Sequence, residues 1–73
     1  MPLTAGHTTE SPRLKELVRH AVGWQVDDLR VLLGETGVIL EGHAYTALAR
    51  VLAEVEAARL SGLPVEENRI EVS

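Results

Sequence analysis

Residues that could carry out catalysis are few in this chain, and none falls in a catalytic spacing. The three histidines, His7, His20 and His43, contain no pair at the i,i+3 or i,i+4 spacing of a helical metal site. The chain has no cysteine, which excludes zinc sites built on thiolates. No serine lies in a nucleophile-elbow sequence. The sequence therefore predicts a protein that is not an enzyme and that carries no metal or other cofactor.

Two further polar clusters have a simpler structural interpretation. Asp27-Asp28 are adjacent carboxylates without the spacing of a calcium loop. The turn at residues 34–37 carries Glu35 where a phosphate loop would use a lysine, and it leads into a predicted strand rather than a helix. We interpret Asp28 as a solvated residue at the start of a strand, and the glycine turn as the loop of a hairpin.

The elements that must position these residues follow from hydrophobic periodicity. Leucine, valine and alanine recur at helical spacing over residues 12–22, after Ser11 as the expected N-cap, and Gly23 is expected to end this helix. Alternating residues predict strands near 28–34 and 37–42 around the glycine turn. A second helix is expected between the N-cap Thr46 and Ser61-Gly62, and a last strand over 68–72.

The apolar positions predict which faces are buried. The core is expected to contain one stripe of each helix and one sheet face, with Trp24 covering an end of it. For the second helix the expected stripe contains Leu48, Val51, Leu52, Val55 and Ala58. For the sheet the expected core face contains Leu29, Val31, Leu33, Val38, Leu40, Ile70 and Val72.

The fold class that satisfies these faces is α+β. We expect an αββαβ two-layer sandwich, with a three-stranded mixed sheet and two helices on one face. Residues 1–10 are polar and rich in turn formers, and they predict a flexible tail. Residues 11–73 are then a single small domain.

The sheet face away from the helices is the predicted interaction surface. Two of its positions, Leu32 and Ile39, are aliphatic where an open antiparallel sheet usually faces water with polar residues. We expect them to be cross-strand neighbours at the centre of a contact with charges around them. The predicted face contains Arg30, Leu32, Ile39, Glu41, Arg69 and Glu71.

Composition limits the classes of partner. The chain has 73 residues and a formal net charge of -4, which disfavours nucleic acid as a partner. Its longest uninterrupted aliphatic runs, such as Val38-Ile39-Leu40, have three residues and are far too short to span a bilayer. The first ten residues lack the basic and apolar regions of a secretory signal, so the chain as given is expected in the cytoplasm.

The order of elements and several motif positions resemble the BON domain, the small bacterial module named for osmotic-shock and nodulation proteins. The hairpin ends Gly37-Val38-Ile39-Leu40-Glu41-Gly42, and the close of the chain carries Asn68-Arg69-Ile70-Glu71-Val72. Gly42 is expected where the strand turns into the second helix. The matching positions are Gly37, Leu40, Gly42, Thr46, Gly62, Asn68, Ile70 and Val72.

The resemblance implies a non-catalytic interaction module. Such domains are usually periplasmic or associated with the cell envelope, and they bind phospholipid or other ligands or join proteins together. We therefore expect a protein partner or a hydrophobic or lipid ligand. A module that assembles with itself through the sheet face or edge is the alternative, and a lipid head-group or small-molecule binder is the third hypothesis.

Overall fold

The computed structural model describes residues 8–73. It is an α+β structure with two helices and a four-stranded mixed sheet. The strands are β1 (Thr9–Glu10), β2 (Val26–Leu33), β3 (Val38–Ala44) and β4 (Val65–Val72), and they lie side by side in that order. The helices are α1 (Pro12–Val22) and α2 (Ala47–Ser61).

Helix α1 forms as its end signals predict. The Ser11 hydroxyl accepts a hydrogen bond from the Leu14 N–H, and Pro12 occupies the first turn. Gly23 ends the helix with φ of +64°, and its N–H donates to the Arg19 carbonyl. A 3₁₀ turn over Gly23–Gln25 then leads directly into β2. The predicted bounds of 12–22 are confirmed.

Strands β2 and β3 form the predicted antiparallel hairpin, closed by the hydrogen bond from the Gly34 N–H to the Gly37 carbonyl at 2.7 Å. At the ends away from the turn, β2 begins two residues before the predicted residue 28 and β3 ends two residues after the predicted residue 42. A bulge between Asp27 and Arg30 explains the difference, since Asp28 takes a positive φ of +52° there.

Gly42 faces this bulge from within β3, and not at the turn into α2 as we expected. Its φ is +151°, and an added Cβ would lie 3.0 Å from the Asp27 carbonyl oxygen. Glycine is therefore required by the close approach of two strands.

Strand β4 runs parallel to β3, and α2 makes the crossover between them. The Thr46 hydroxyl caps α2 by accepting from the Ala49 N–H, and Gly62 ends it in the left-handed conformation, both as predicted. β4 begins at Val65 rather than at residue 68. The register shifts after Val38, which leaves Glu66 outside the ladder, and the Glu66 carboxylate accepts from the Thr36 N–H and hydroxyl.

The prediction of three strands is wrong because Thr9–Glu10 add a fourth. They pair with Leu33 and Leu32 of β2 in antiparallel register. Two exposed polar residues carry no hydrophobic alternation, so the sequence pattern contains no sign of this strand. Thr9 and Glu10 belong to the segment that we expected to be a flexible tail, and residues 1–7 of that segment lie outside the described residues.

A single hydrophobic cluster joins both helices to one face of the sheet. The sheet contributes the expected Leu29, Val31, Val38, Leu40 and Ile70, together with Val26 and Ala44. α1 contributes Leu14, Val18 and Val22, and α2 contributes Ala49, Ala53 and Ala57. Val72, which we expected in the core, is 44% exposed.

Within the hairpin, we expect an added methyl group to destabilise the protein most at Gly37. A Cβ there would lie 2.2 Å from the Pro64 carbonyl oxygen, a backbone atom that also accepts from the Val38 N–H. Gly37→Ala should therefore lower the free energy of unfolding by about 1–3 kcal/mol. Urea melts compare it with Glu35→Ala in the same turn, where the side chain is exposed and its removal should change the stability by less than about 0.5 kcal/mol. An equal loss at both positions would show that the contact with Pro64 is not responsible.

Candidate interaction site

The six residues of the predicted interaction face all lie on the sheet surface opposite the core cluster, which we call the outer sheet face. Arg30 is opposite Glu41 across the hairpin, and Glu41 is in turn opposite Arg69 on β4. Leu32 pairs with Ile39, as expected for cross-strand neighbours. Glu71 lies beside His43 at the end of the same face. The strand register thus places all six predicted residues on one surface.

The charges on the outer sheet face are paired with one another. The Glu41 carboxylate accepts from Arg30 and from Arg69, each at 3.2 Å. Arg30 also reaches Glu10 at 3.1 Å, and Arg69 reaches Glu67 at 2.9 Å. Beside Arg69 the pKa of the Glu67 carboxyl is lowered, while Glu67 and then Glu41 raise the pKa of Arg69. A row of alternating charges therefore crosses all four strands.

The two aliphatic residues of this face are not available for contact. Leu32 is 9% exposed and Ile39 only 3%. We had expected them at the centre of an open surface, and the structure instead buries them beside the row of paired charges. The outer sheet face as a binding surface stays a prediction, but its exposed chemistry is that of ion pairs and not of aliphatic side chains.

The exposed apolar surface lies instead on α2. Leu48 is 74% exposed, Val51 54% and Val55 55%, and their spacing of i, i+3 and i+7 places them along one side of the helix. We call these three residues the α2 ridge. The prediction that they pack in the core is wrong, because Ala49, Ala53 and Ala57 on the opposite side are buried in their place. The small alanine side chains let the helix backbone lie close to the sheet.

Aromatic side chains cluster at the end of the domain where α1 ends and α2 begins. The Tyr45 N–H donates to the Gln25 carbonyl at 3.4 Å, which ties the two connections together. Trp24 is 80% exposed and Tyr45 about half exposed, so the expectation that Trp24 covers the core is wrong. The Tyr45 hydroxyl donates to the Asp27 carboxylate, and this bond raises the pKa of Tyr45. His43 packs edge-on against the Tyr45 ring.

An apolar pocket of about 260 Å³ lies at the opposite end of the helices. Its presence beside both the start of α1 and the end of α2 shows that the two helices run antiparallel. Leu17 and Leu63 are a little less than half exposed at the pocket, while Leu14 is buried. We call it the leucine pocket, and it is lined by Ser11, Arg13, Leu14, Leu17, Leu33, Leu60, Ser61 and Leu63.

Sequence reasoning missed the α2 ridge and the leucine pocket. Most of their residues had been assigned by the sequence pattern to the core or to a helix end. One signal was present: α2 carries apolar residues on two sides, whereas a helix at a surface usually has one apolar stripe. That excess could have indicated a second buried side.

Groups that could perform chemistry do not converge in the part of the chain that the structure describes. Within residues 8–73 there is no group of three histidine, aspartate or glutamate side chains that could hold a metal ion. His43 contacts Ser73 at 2.7 Å, and His7 lies outside the described residues. Among the same residues, neither helix has the length and apolar character that a membrane crossing requires.

Comparisons of the chain with protein-family models, with curated proteins and with solved structures found no match in any of the three. The resemblance to the BON domain therefore stays a prediction from the sequence.

Proposed function

We propose that this chain is a small, non-catalytic interaction domain that binds a protein partner through the outer side of α2. The observation that carries the proposal is the α2 ridge, three large aliphatic side chains in a row that are each more than half exposed. A side of a helix that carries a continuous row of large aliphatic residues is normally buried. One side of α2 is buried by the sheet and α1, and a partner would bury the other.

The energetics favour a partner of this kind. Single aliphatic residues at a surface are ordinary, but the members of the α2 ridge are contiguous. Each contributes roughly 1.5–3 kcal/mol when fully buried, and these three have most of that contribution left to gain. The outer sheet face offers less, because its charges already satisfy one another and exposed ion pairs are screened by salt.

The BON-like hypothesis is consistent with this function. Support comes from two positions of the resemblance. Asn68 donates to the Arg50 carbonyl and to Glu54, and it accepts from the Ile70 N–H, so it links β4 to α2. Gly62 ends α2 in the left-handed conformation. The core cluster that joins both helices to one sheet face supports the two-layer sandwich that we expected for this chain.

A hydrophobic ligand is the second candidate, because the leucine pocket offers an apolar lining with Arg13 and two serines at its border. Its volume of about 260 Å³ is below the roughly 300–1,000 Å³ of pockets that enclose a drug-sized ligand. The pocket has room for one side chain or a short acyl segment.

Anionic vesicles should bind the chain weakly, and lowering the salt should not strengthen the binding. The net charge of -4 repels an anionic surface at long range. Flotation with phosphatidylglycerol vesicles measures this, and neutral phosphatidylcholine vesicles are the control for acyl binding in the leucine pocket. Strong binding that depends on salt would favour a lipid ligand and a basic patch around Arg13 and Lys15. Strong binding to both vesicles would favour acyl capture.

The protein-partner proposal is tested by photo-cross-linking in the organism that encodes the chain. A photoreactive amino acid at position 51 should give an adduct of one defined mass. The same amino acid at position 35, in the exposed hairpin turn, is the matched control and should give no such adduct. Equal and diffuse labelling at both positions, or none at position 51, would overturn the proposal.

A further inference from the structure

We infer that the partner on the α2 ridge is a second copy of this chain, packed with α2 antiparallel to its own α2 about a two-fold axis. The inference rests on the proposed function and identifies the partner. It depends on three features that complement one another when α2 is reversed: the ridge itself, the two ends of the helices and the charges beside those ends.

The ridge is complementary to itself when a second α2 runs in the opposite direction. Val51 then lies opposite Val55 of the second copy, and Leu48 lies opposite Ala58 of the second copy. A large residue facing a small one at each outer position, and two valines facing at the centre, let the two helices approach evenly. The two-fold axis repeats each contact, as in most homodimers.

The ends of the helices are complementary in shape. Trp24 is exposed beside the start of α2, and the leucine pocket lies at the end of α2. Reversing the helix brings the indole of each copy to the leucine pocket of the other, twice in one dimer. The pocket volume of about 260 Å³ suits a single aromatic side chain better than a complete ligand. Arg13 at its border can stack on the indole face.

The charges beside the two ends have opposite signs. Asp27 and Asp28 are exposed near the start of α2, where Asp27 contacts Tyr45. Arg13 borders the pocket at the other end, and it makes no ion pair with any residue of the described range. An antiparallel pair places Arg13 of each copy near the acidic residues of the other. A parallel pair would bring like charges together.

The contact area implies a weak dimer. α2 has 15 residues and is about 22 Å long and 10 Å wide, and one tryptophan buries about 150–250 Å². The area under α2 and the area of one tryptophan together are below the roughly 800 Å² per partner of a standard interface. We therefore expect a dissociation constant in the micromolar range, measured at physiological salt where the net charge of each copy is largely screened.

Sedimentation equilibrium of the full chain from micromolar to hundreds of micromolar concentration tests this. The mass should rise from 7.9 kDa toward twice that value. Val51→Lys should weaken association about tenfold or more, while Arg30→Glu on the outer sheet face should leave it unchanged, with circular dichroism confirming that both variants fold. The emission of Trp24, the single tryptophan, should shift to the blue as the dimer forms, and Leu63→Lys should abolish that shift.

Charge reversal tests the antiparallel arrangement. Arg13→Glu alone and Asp28→Lys alone should each weaken self-association, because each creates two like-charge contacts per dimer. An equimolar mixture of the two variants should recover it, since both contacts in the mixed dimer then join opposite charges. Weakening without recovery, or no weakening, would overturn this arrangement.

Three outcomes separate this inference from the proposed function. A dimer lost by Arg30→Glu and kept by Val51→Lys would place the interface on the outer sheet face and overturn the inference. A strictly monomeric chain whose position 51 cross-links to a different protein would overturn the inference and leave the proposed function intact. A monomer without any defined adduct at position 51 would overturn both.

Discussion

Replacing Leu40 with alanine should lower the free energy of unfolding by about 2–4 kcal/mol. Leu40 is fully buried at the middle of β3, between Val31 on β2 and Asn68 on β4. The cavity left by the lost methyl groups cannot close, because strands hold the site on both sides. A chain of 73 residues has roughly 4–11 kcal/mol of stability in total, so this one change removes a large share. Val31→Ala should have a similar effect.

Urea denaturation followed by circular dichroism measures the loss. Leu48→Ala is the matched control, because it deletes the same atoms from the α2 ridge, where Leu48 is 74% exposed. It should cost less than about 0.5 kcal/mol, as surface substitutions usually do. At protein concentrations below those at which the chain associates, a loss at Leu48 equal to the loss at Leu40 would show that the ridge is packed within the monomer.

Enlarging a buried alanine of α2 should also destabilise the protein strongly. Ala53 is fully buried where α2 lies on the sheet, and Ala53→Leu forces three additional carbon atoms and one branch into that contact. We expect a loss of about 1–3 kcal/mol from overpacking. Helix propensity does not explain such a loss, because leucine ranks just below alanine.

Ala47→Leu is the control for this second prediction, since Ala47 is exposed in the first turn of α2. It should change the stability by less than about 0.5 kcal/mol. Thermal melts of both variants compare the two sides of the same helix directly. If the ridge faced the core, as the sequence pattern had suggested, Ala53→Leu would be harmless and Leu48→Ala costly.

Local chemistry in the sequence was enough to predict the two helices and the hairpin. A hydroxyl side chain just before a helical run commonly caps the helix, and Ser11 and Thr46 do so here. Gly62 ends α2 in the left-handed conformation that glycine adopts readily. The alternation of residues 29–33 and 38–40 predicts which sheet positions face the core. These features depend on neighbours within a few residues, so they can be read from the order of residues.

Only the tertiary structure decided which side of α2 is buried and where the candidate site lies. α2 is apolar on two sides, and hydrophobicity alone favours burying the larger Leu48 and Val51. The distance between helix and sheet selects the alanines instead, because only small side chains let the two approach closely. The short strand β1 and the bulge at Asp28 depend on pairing between residues far apart in sequence. Trp24 is exposed for the same kind of reason: the turn that carries it is positioned by β2 and by Tyr45, which the local pattern around residue 24 does not encode.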